Sequence, residues 1–153
     1  MNFNKRYEDY REIFESELDK KIQSINCSNA VLKEAMTYSL KAGGKRIRPV
    51  LCLAVADVLG IKFDKIIDFA IAIELIHSYS LVHDDLECMD NDDYRRGKLS
   101  THKKYGEAMG VLCGDALLNY AMEIALEGVN DDNSLKACKT IFNYSGYSGM
   151  IKG

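Results

Sequence analysis

The chain has 153 residues, of which 47% are hydrophobic and 28% charged, and its formal net charge at pH 7 is −3. That much apolar material builds the core of one folded domain, so the composition excludes an intrinsically disordered chain. The slightly acidic balance argues against a nucleic-acid partner, and the lack of 18 successive uncharged apolar residues argues against a membrane span. The five cysteines lie far apart in apolar stretches, which favours free thiols of a cytoplasmic protein over disulfides or zinc ligands.

The spacing of apolar residues predicts an all-α domain with six main helices and no convincing strand. The second helix should end at Gly43-Gly44, where a left-handed backbone costs little. Pro49 suits the first turn of the third helix, and Asp64 and Asp132 suit the N-caps of the fourth and sixth. The predicted helices cover residues 7–25, 29–41, 50–59, 65–87, 107–127 and 132–144, with a short turn from 100 to 105 before the fifth.

An acidic segment follows the fourth predicted helix and places six carboxylates within ten residues. They belong to Asp84, Asp85, Glu87, Asp90, Asp92 and Asp93. Carboxylates this dense repel one another unless cations neutralise them, and hard oxygen ligands favour Mg²⁺ or Mn²⁺ over zinc. Taken alone, such a run is more often a solvated loop than a metal site.

Two basic clusters accompany the acidic segment, one directly after Gly43-Gly44 and one directly after Asp93. Guanidinium and ammonium groups bind phosphate oxygens well. The first cluster alone is an ordinary basic turn, and Arg95-Arg96 could simply neutralise the neighbouring aspartates. Acids for a metal and bases for phosphate in one small chain nevertheless suggest a metal-bridged diphosphate.

Helix geometry constrains how the acidic residues can share a metal. His77 and Asp84 are seven residues apart, so they lie on one stripe of a helix, about 20° from each other. Asp84 and Asp90 are six apart, about 240° around a straight helix, and therefore lie on different faces. If both bind one metal cluster, the helix must end or distort between Leu86 and Asp90.

Three motifs together resemble the trans-isoprenyl diphosphate synthases, which form the polyprenyl synthetase family. They read G-G-K-R-I-R-P at 43–49, H-S-Y-S-L-V-H-D-D-L-x-x-M-D-N-D-D-x-R-R-G-K at 77–98 and G-D-A-L-L at 114–118. The resemblance implies an isoprenoid-synthase-type helical bundle with a deep apolar cavity. It also implies condensation of isopentenyl diphosphate with an allylic diphosphate, dimethylallyl or geranyl, to give farnesyl diphosphate, as in short-chain bacterial members.

The same resemblance assigns roles to individual residues. Asp84, Asp85 and Asp90 would be the catalytic Asp-rich motif and would hold the Mg²⁺ ions that bind the allylic diphosphate. Arg95 would bind that diphosphate too. The isopentenyl diphosphate would be held by Lys45, Arg48, His77 and Arg96.

The resemblance also implies that a ring at Tyr79, five residues before Asp84, closes the cavity and limits the length of the product. On a straight helix Ser80, four residues before Asp84, faces the cavity more directly. The role of Tyr79 in limiting product length therefore rests on the family resemblance alone.

The sequence departs from the family pattern at two points. Glu87 stands where members commonly have proline, and the second Asp-rich motif is absent. Members are also roughly twice as long, so we expect residues 1–153 to be a single helical domain, the N-terminal part of a truncated bundle. This chain alone should bind Mg²⁺ weakly and show little synthase activity.

The resemblance implies a homodimer, for which the helix at 107–127 is a candidate surface.

Two other functions remain open at the sequence level. His83-Asp84 at a helix end resembles an HD-type metal phosphohydrolase, although His77 lies too near to serve as its first histidine and the two arginines have no role there. Alternatively, the chain is a non-catalytic helical subunit that needs a partner chain, as the apolar residues near its end suggest.

Overall fold

The computed structural model describes residues 3–152, and within that range it confirms the predicted all-α domain. The helices are α1 (Phe3–Ser24), α2 (Ala30–Leu40), α3 (Ile47–Val58), α4 (Ile67–Asp84), α5 (Thr101–Tyr105), α6 (Glu107–Glu127) and α7 (Asp132–Ser145). Short 3₁₀ turns cover Phe63–Lys65 and Met150–Lys152. A small hairpin, β1 (Tyr94–Arg95) with β2 (Lys98–Leu99), lies between α4 and α5.

Helix α4 forms the centre of the core because its sequence is apolar on nearly every face. Ile71 and Leu75 are fully buried, and burying a side chain of this size stabilises a fold by about 1.5–3 kcal/mol. Helix α6 packs along α4, while α1 and α3 cover other faces. The close approach of α6 requires Gly114, since a Cβ there would overlap the His83 ring.

Four predicted helix starts need correction. Helix α1 begins at Phe3, four residues before the predicted start. Helix α3 begins at Ile47, three residues early, and Pro49 is accommodated because the first amides of a helix have no intrahelical acceptor. Asp64 lies in a 3₁₀ turn and does not cap α4, which begins at Ile67. The cap of α7 is Asp131, whose carboxylate accepts from the Ser134 amide at 2.7 Å.

The predicted break after the fourth helix is present, and it falls slightly earlier than expected, since α4 ends at Asp84. The following loop turns back onto the helix end. The Asp90 amide donates to the Asp84 carbonyl at 2.8 Å, and the Asp92 amide donates to the Asp85 carbonyl at 3.2 Å. The loop therefore places Asp90 beside Asp84, which an unbroken helix would not do.

The hairpin was not predicted from the sequence because two-residue strands are too short to show an alternating pattern. Its two turn residues, Arg96 and Gly97, have φ values of 53° and 76°. Positive φ at both central residues is the requirement of a type I′ turn, which suits the twist of paired strands.

Helix α6 is the apolar helix against which the expected absence of a membrane span has to be weighed. Among the described residues, it is the one helix that is long and apolar enough to cross a membrane by length and composition. A core helix meets the same criterion, and α6 buries one face of Cys113, Leu117, Ala121 and Ile124 against the rest of the fold.

Candidate functional site

A cationic pocket opens where the start of α3 meets the middle of α4 and the turn of the hairpin. Its volume is about 640 Å³. All four residues predicted to hold isopentenyl diphosphate line it, namely Lys45, Arg48, His77 and Arg96. The structure thus brings together residues from three segments of the sequence. The first and the last of these residues, Lys45 and Arg96, are 51 positions apart.

The cations of this pocket are open to a ligand. Lys45, Arg48 and Arg96 are exposed, and their side-chain nitrogens make no hydrogen bond or ion pair within residues 3–152. Burial and the neighbouring charge of Arg46 lower the pKa of Arg96. An anion in the pocket would relieve this repulsion and gain charge-assisted hydrogen bonds.

His77 faces these cations from α4 as a neutral imidazole. Its partial burial, followed by the charges of Arg48, Arg96, Arg46 and Arg95, lowers its pKa to about 4. A neutral ring adds no further repulsion at pH 7 and still has one N–H to donate.

Arg46 is the residue of this region that sequence reasoning left without a role. Its side chain is buried and fully bonded, with Nε on Glu15 Oε1 at 2.8 Å, Nη1 on Glu74 Oε1 at 2.9 Å and Nη2 on the Leu40 carbonyl at 2.7 Å. Burial lowers its pKa, but the two carboxylates raise it by more. The sequence carries one sign of this buried ion pair, namely a lone glutamate, Glu74, within the apolar sequence of α4.

Gly44 positions Arg96 in the pocket. With φ at +131°, its backbone lies beneath the Arg96 guanidinium, and a Cβ on Gly44 would lie 2.5 Å from Arg96 Nη1. A side chain at this position would strain the backbone and would push the flexible end of the Arg96 side chain out of its place.

The predicted metal ligands differ in their surroundings. Asp84 is half-buried and Asp90 is exposed, and neither carboxylate is paired within residues 3–152. Asp85 is buried and bound by Arg95, whose Nε and Nη2 donate to its Oδ1 at 2.7 and 2.5 Å. Among the described residues, the three carboxylates do not all converge within 4.8 Å, since Asp85 faces Arg95.

Arg95 is consequently held by acidic residues instead of facing an empty pocket. Besides Asp85, its Nη2 lies 3.3 Å from Asp92 Oδ2. The hydrogen bond with Asp85 raises the pKa of Arg95. Its Nη1 has no partner within residues 3–152 and is the nitrogen available to a ligand.

The donor set of this acidic site fits a hard divalent cation. All three side chains offer carboxylate oxygens, and two of them are free of partners. Mg²⁺ uses one or two protein carboxylates and completes its shell with water and phosphate oxygens, so Asp84 and Asp90 meet its requirement without Asp85.

The two candidate residues for product length lie differently on α4. Tyr79 is 6% exposed and its ring packs edge-on against His83, with 5.6 Å between centroids. Burial and then the charge of Asp84 raise the pKa of Tyr79. Ser80 is half-buried, and its hydroxyl donates to the His77 carbonyl at 2.9 Å.

Ser80 shares one stripe of α4 with Ile73, His77 and Asp84, since these positions differ by three, four or seven residues. All four are half-buried on a helix that is otherwise mostly buried. The lower end of the stripe opens into an apolar groove of about 330 Å³, lined by Ile73, Ile76, Thr140, Ile141, Tyr144, Ser145 and Met150. A diphosphate at the upper end would therefore have an apolar path beneath it.

Comparison with known proteins places these features in a family. A family model described as polyprenyl synthetase matches residues 29–146. A farnesyl diphosphate synthase of Micrococcus luteus is 50% identical over 123 residues, which are 80% of this chain and 42% of that protein. The chain spans about half the length of the curated relatives it matches.

Solved structures show the same fold. A geranyltransferase from Legionella pneumophila has a TM-score of 0.93 and 35% identity, covering 97% of this chain and 54% of its own. An isoprenoid synthase family member from Thermotoga neapolitana has a TM-score of 0.77 and 38% identity, covering 86% of this chain and 51% of its own. The predicted isoprenoid-synthase-type bundle is confirmed.

Proposed function

The chain belongs to the polyprenyl synthetase family, and on that basis we propose that it takes part in trans-prenyl transfer from an allylic diphosphate, dimethylallyl or geranyl, to isopentenyl diphosphate. The names of its relatives, farnesyl diphosphate synthase and geranyltransferase, support this reaction class. Farnesyl diphosphate is the proposed product.

One observation carries the proposal. Three cations that have no partner among the described residues line one pocket with a neutral His77, two helical turns below Asp84 on α4. An anion site and an acidic site therefore lie on the same face of one helix. A prenyl transfer needs two diphosphates held side by side, one beside the acids and one beside the bases.

In the proposed mechanism, Lys45, Arg48, Arg96 and the His77 N–H hold isopentenyl diphosphate, while Arg95 Nη1 binds the allylic diphosphate. Holding both substrates turns a bimolecular reaction into an effectively unimolecular one. The carbon–oxygen bond of the allylic diphosphate breaks, and the double bond of isopentenyl diphosphate attacks the allylic cation. A proton is then lost from the new chain, for which the departed diphosphate is the proposed base.

Mg²⁺, or Mn²⁺ in its place, is the proposed cofactor, held by Asp84 and Asp90, with Asp85 as the third carboxylate once Arg95 shares it. When bound, the ion would neutralise the charge that develops on the leaving diphosphate. The chain's own contribution is to orient the carboxylates, through the loop hydrogen bond from the Asp90 amide to the Asp84 carbonyl.

The length of the product is proposed to depend on the side chains below the acidic site. The buried ring of Tyr79 narrows the interior of the fold, while Ser80 lies on the stripe that leads to the apolar groove. We place the growing prenyl chain along this stripe.

The remaining proposals concern the setting of the chain. We propose that residues 1–153 form the N-terminal part of a larger helical fold, that the chain forms a homodimer through α6, and that it acts in the cytoplasm without nucleic acid or membrane partners. Five free thiols are consistent with a reducing compartment.

The test measures diphosphate binding and turnover separately. Isopentenyl diphosphate should bind the chain in calorimetric titration, and Arg48→Gln should weaken binding roughly 10-fold or more, as expected for a charged hydrogen bond. Lys41→Gln is the matched control, because Lys41 is engaged with Asp19 outside the pocket. Equal affinity in Arg48→Gln would contradict the proposed site.

Turnover is measured with labelled isopentenyl diphosphate and geranyl diphosphate in the presence of Mg²⁺. Because the sequence has no second Asp-rich motif, we expect slow formation of farnesyl diphosphate at best. Any product should disappear in Asp84→Asn, and product formation that survives this change would refute the role of the acidic site.

A second candidate function is a helical subunit that needs a partner chain. It is favoured by the exposed apolar face of α3, on which Ile47, Leu51, Val55 and Val58 are all at least half exposed. In that case isopentenyl diphosphate would bind without turnover, and turnover would appear only on addition of the partner.

A further inference from the structure

A second group of potential metal ligands lies outside the acidic site, at the corner between α5 and α6. A ligand atom from each of Glu87, His102 and Glu107 lies within 4.8 Å of the other two. The three residues come from the loop after α4, from α5 and from the first position of α6. They therefore converge from three segments that the fold, not the sequence, brings together.

His102 provides an independent sign that this group is a ligand site. Its side chain is 3% exposed, and its Nε2 has no hydrogen-bond partner within residues 3–152. Buried polar atoms are almost always paired, so an unpaired one calls for an explanation.

The other ring nitrogen of His102 is fixed by a neighbour. Ser100 Oγ lies 3.1 Å from Nδ1. When Nδ1–H donates to this hydroxyl, the lone pair lies on Nε2, which is the usual arrangement of a metal-ligating histidine. With Nδ1 engaged by Ser100, Nε2 is the ring nitrogen left free to bind an ion between the two carboxylates.

The two glutamates differ in what they must give up to bind a metal ion. Glu107 makes no hydrogen bond or ion pair within residues 3–152. Among the described residues, Glu87 forms one ion pair, with Lys103 at 3.3 Å, and Lys103 has Asp93 as a second partner at 3.1 Å. Lys103 can therefore release Glu87 and keep an anionic partner.

We infer that Glu87, His102 and Glu107 form a binding site for a divalent transition-metal ion of the Zn²⁺ class. One imidazole and two carboxylates are a borderline donor set, which suits Zn²⁺ better than Mg²⁺. Three protein ligands leave a further coordination position for water. The ion would tie the loop after α4 to the start of α6, and the site is separate from Asp84, Asp85 and Asp90.

The test is a Zn²⁺ titration followed by calorimetry and by NMR of the histidine rings, with no diphosphate present. The parent is the Cys88→Ser chain, since Cys88 is an exposed thiol that would bind Zn²⁺ by itself. One equivalent of Zn²⁺ should bind, and the Nε2 signal of His102 should shift while those of His77 and His83 stay in place.

Glu87→Gln and Glu107→Gln should each lower the affinity for Zn²⁺ more than about 10-fold, the least expected for loss of a direct ligand. Asp92→Asn is the matched control, because it removes an equal charge from the same loop but neither a ligand nor a partner of Lys103, and it should lower the affinity by much less than about 10-fold. These variants leave His102 in the core, so they test the site even if His102→Ala does not fold.

Three results would overturn the inference: no stoichiometric binding to the parent, an unmoved His102 signal, or equal losses in Asp92→Asn and the two glutamine variants. The last would indicate diffuse attraction to acidic side chains. None of these outcomes depends on isopentenyl diphosphate binding, so the metal site and the proposed prenyl transfer stand or fall separately.

Discussion

Two arginines in one short motif have different tasks, although the sequence presents them two positions apart. Arg46 lies in the core and satisfies three acceptors, whereas Arg48 lies in the cationic pocket without a partner within residues 3–152. The difference arises from the left-handed backbone of Arg46, with φ at 49°, which turns its side chain inward towards Glu15 and Glu74.

Arg46→Ala should therefore destabilise the fold, and Arg48→Ala should not. Loss of Arg46 leaves Glu74 as an unpaired buried carboxylate, which costs about 3–5 kcal/mol. Arg48→Ala should stay within about 0.5 kcal/mol, the range of ordinary surface substitutions. Urea unfolding measures both, and similar free energies of unfolding for the two variants would contradict the division of tasks.

The lowered pKa of His77 predicts how stability changes with pH. The folded chain protonates His77 at about pH 4, while the unfolded chain does so near 6.5. Between these values the unfolded state binds more protons, so the free energy of unfolding should fall as the pH is lowered from about 6.5 to about 4. Above pH 7 this contribution is fully present.

Urea unfolding of the parent and of His77→Gln at pH 4.5, 5.5 and 7 isolates that contribution. The variant should lose less stability across the range, because it has no proton to take up on unfolding. Parallel curves for the two proteins would show that His77 is not held neutral in the fold.

At the scale of an element, the turn after α2 and the turn of the hairpin depend on each other. Gly44 allows the Arg96 guanidinium to lie against the backbone, so two short loops far apart in sequence build one wall of the cationic pocket. The neighbouring Gly43 also has a positive φ, at 85°, but a Cβ there would meet nothing within 4 Å.

Gly44→Ala should displace Arg96 and lower the affinity for isopentenyl diphosphate by about 10-fold or more, the value of one charged hydrogen bond. Gly43→Ala is the matched control. Both changes force alanine to a positive φ, which costs about 1–3 kcal/mol, but only Gly44→Ala should alter binding. Equal loss of affinity in both would mean that Arg96 is not positioned by Gly44.

Helix α4 contains the second element-scale prediction, which concerns the product. If the ring of Tyr79 limits chain length, Tyr79→Ala should give products longer than farnesyl diphosphate, at a stability cost of about 3–5 kcal/mol for the cavity. If the stripe through Ser80 is the path, Ser80→Phe should shorten the product. Chromatography of the labelled products distinguishes the two, and unchanged products in both variants would contradict the proposed path.

For the whole molecule, local patterns predicted most of the helices, and long-range contacts decided the rest. The spans of α2, α5 and α6 follow from caps and periodicity alone. The start of α3 does not, because it depends on Arg46 reaching Glu74 on another helix. At the acidic site, the family resemblance assigned three carboxylates to the metal, while the sequence left open that Arg95 neutralises a neighbouring aspartate. The hairpin decides between them by bringing Arg95 onto Asp85.

The burial of His102 also could not be predicted from the sequence. His102 lies in a polar segment, T-H-K-K-Y, and nothing in that pattern indicates a side chain that is 3% exposed. Its burial follows from Gly110 of α6, whose missing side chain leaves room for the His102 Cβ. This contact joins α5 to α6, and no local sequence pattern predicts how these two helices pack.

The last prediction concerns how the molecule associates with a second copy. Helix α6 exposes Leu112, Met122 and Leu126 on one face, and α3 exposes Leu51 and Val55 to a similar extent. A homodimer through α6 should dissociate in Leu112→Glu and persist in Leu51→Glu, which places the same charge on the other apolar face. Sedimentation equilibrium measures the mass of each variant. Dissociation by Leu51→Glu alone would move the interface to α3, because an ionised carboxylate is not tolerated in an apolar contact.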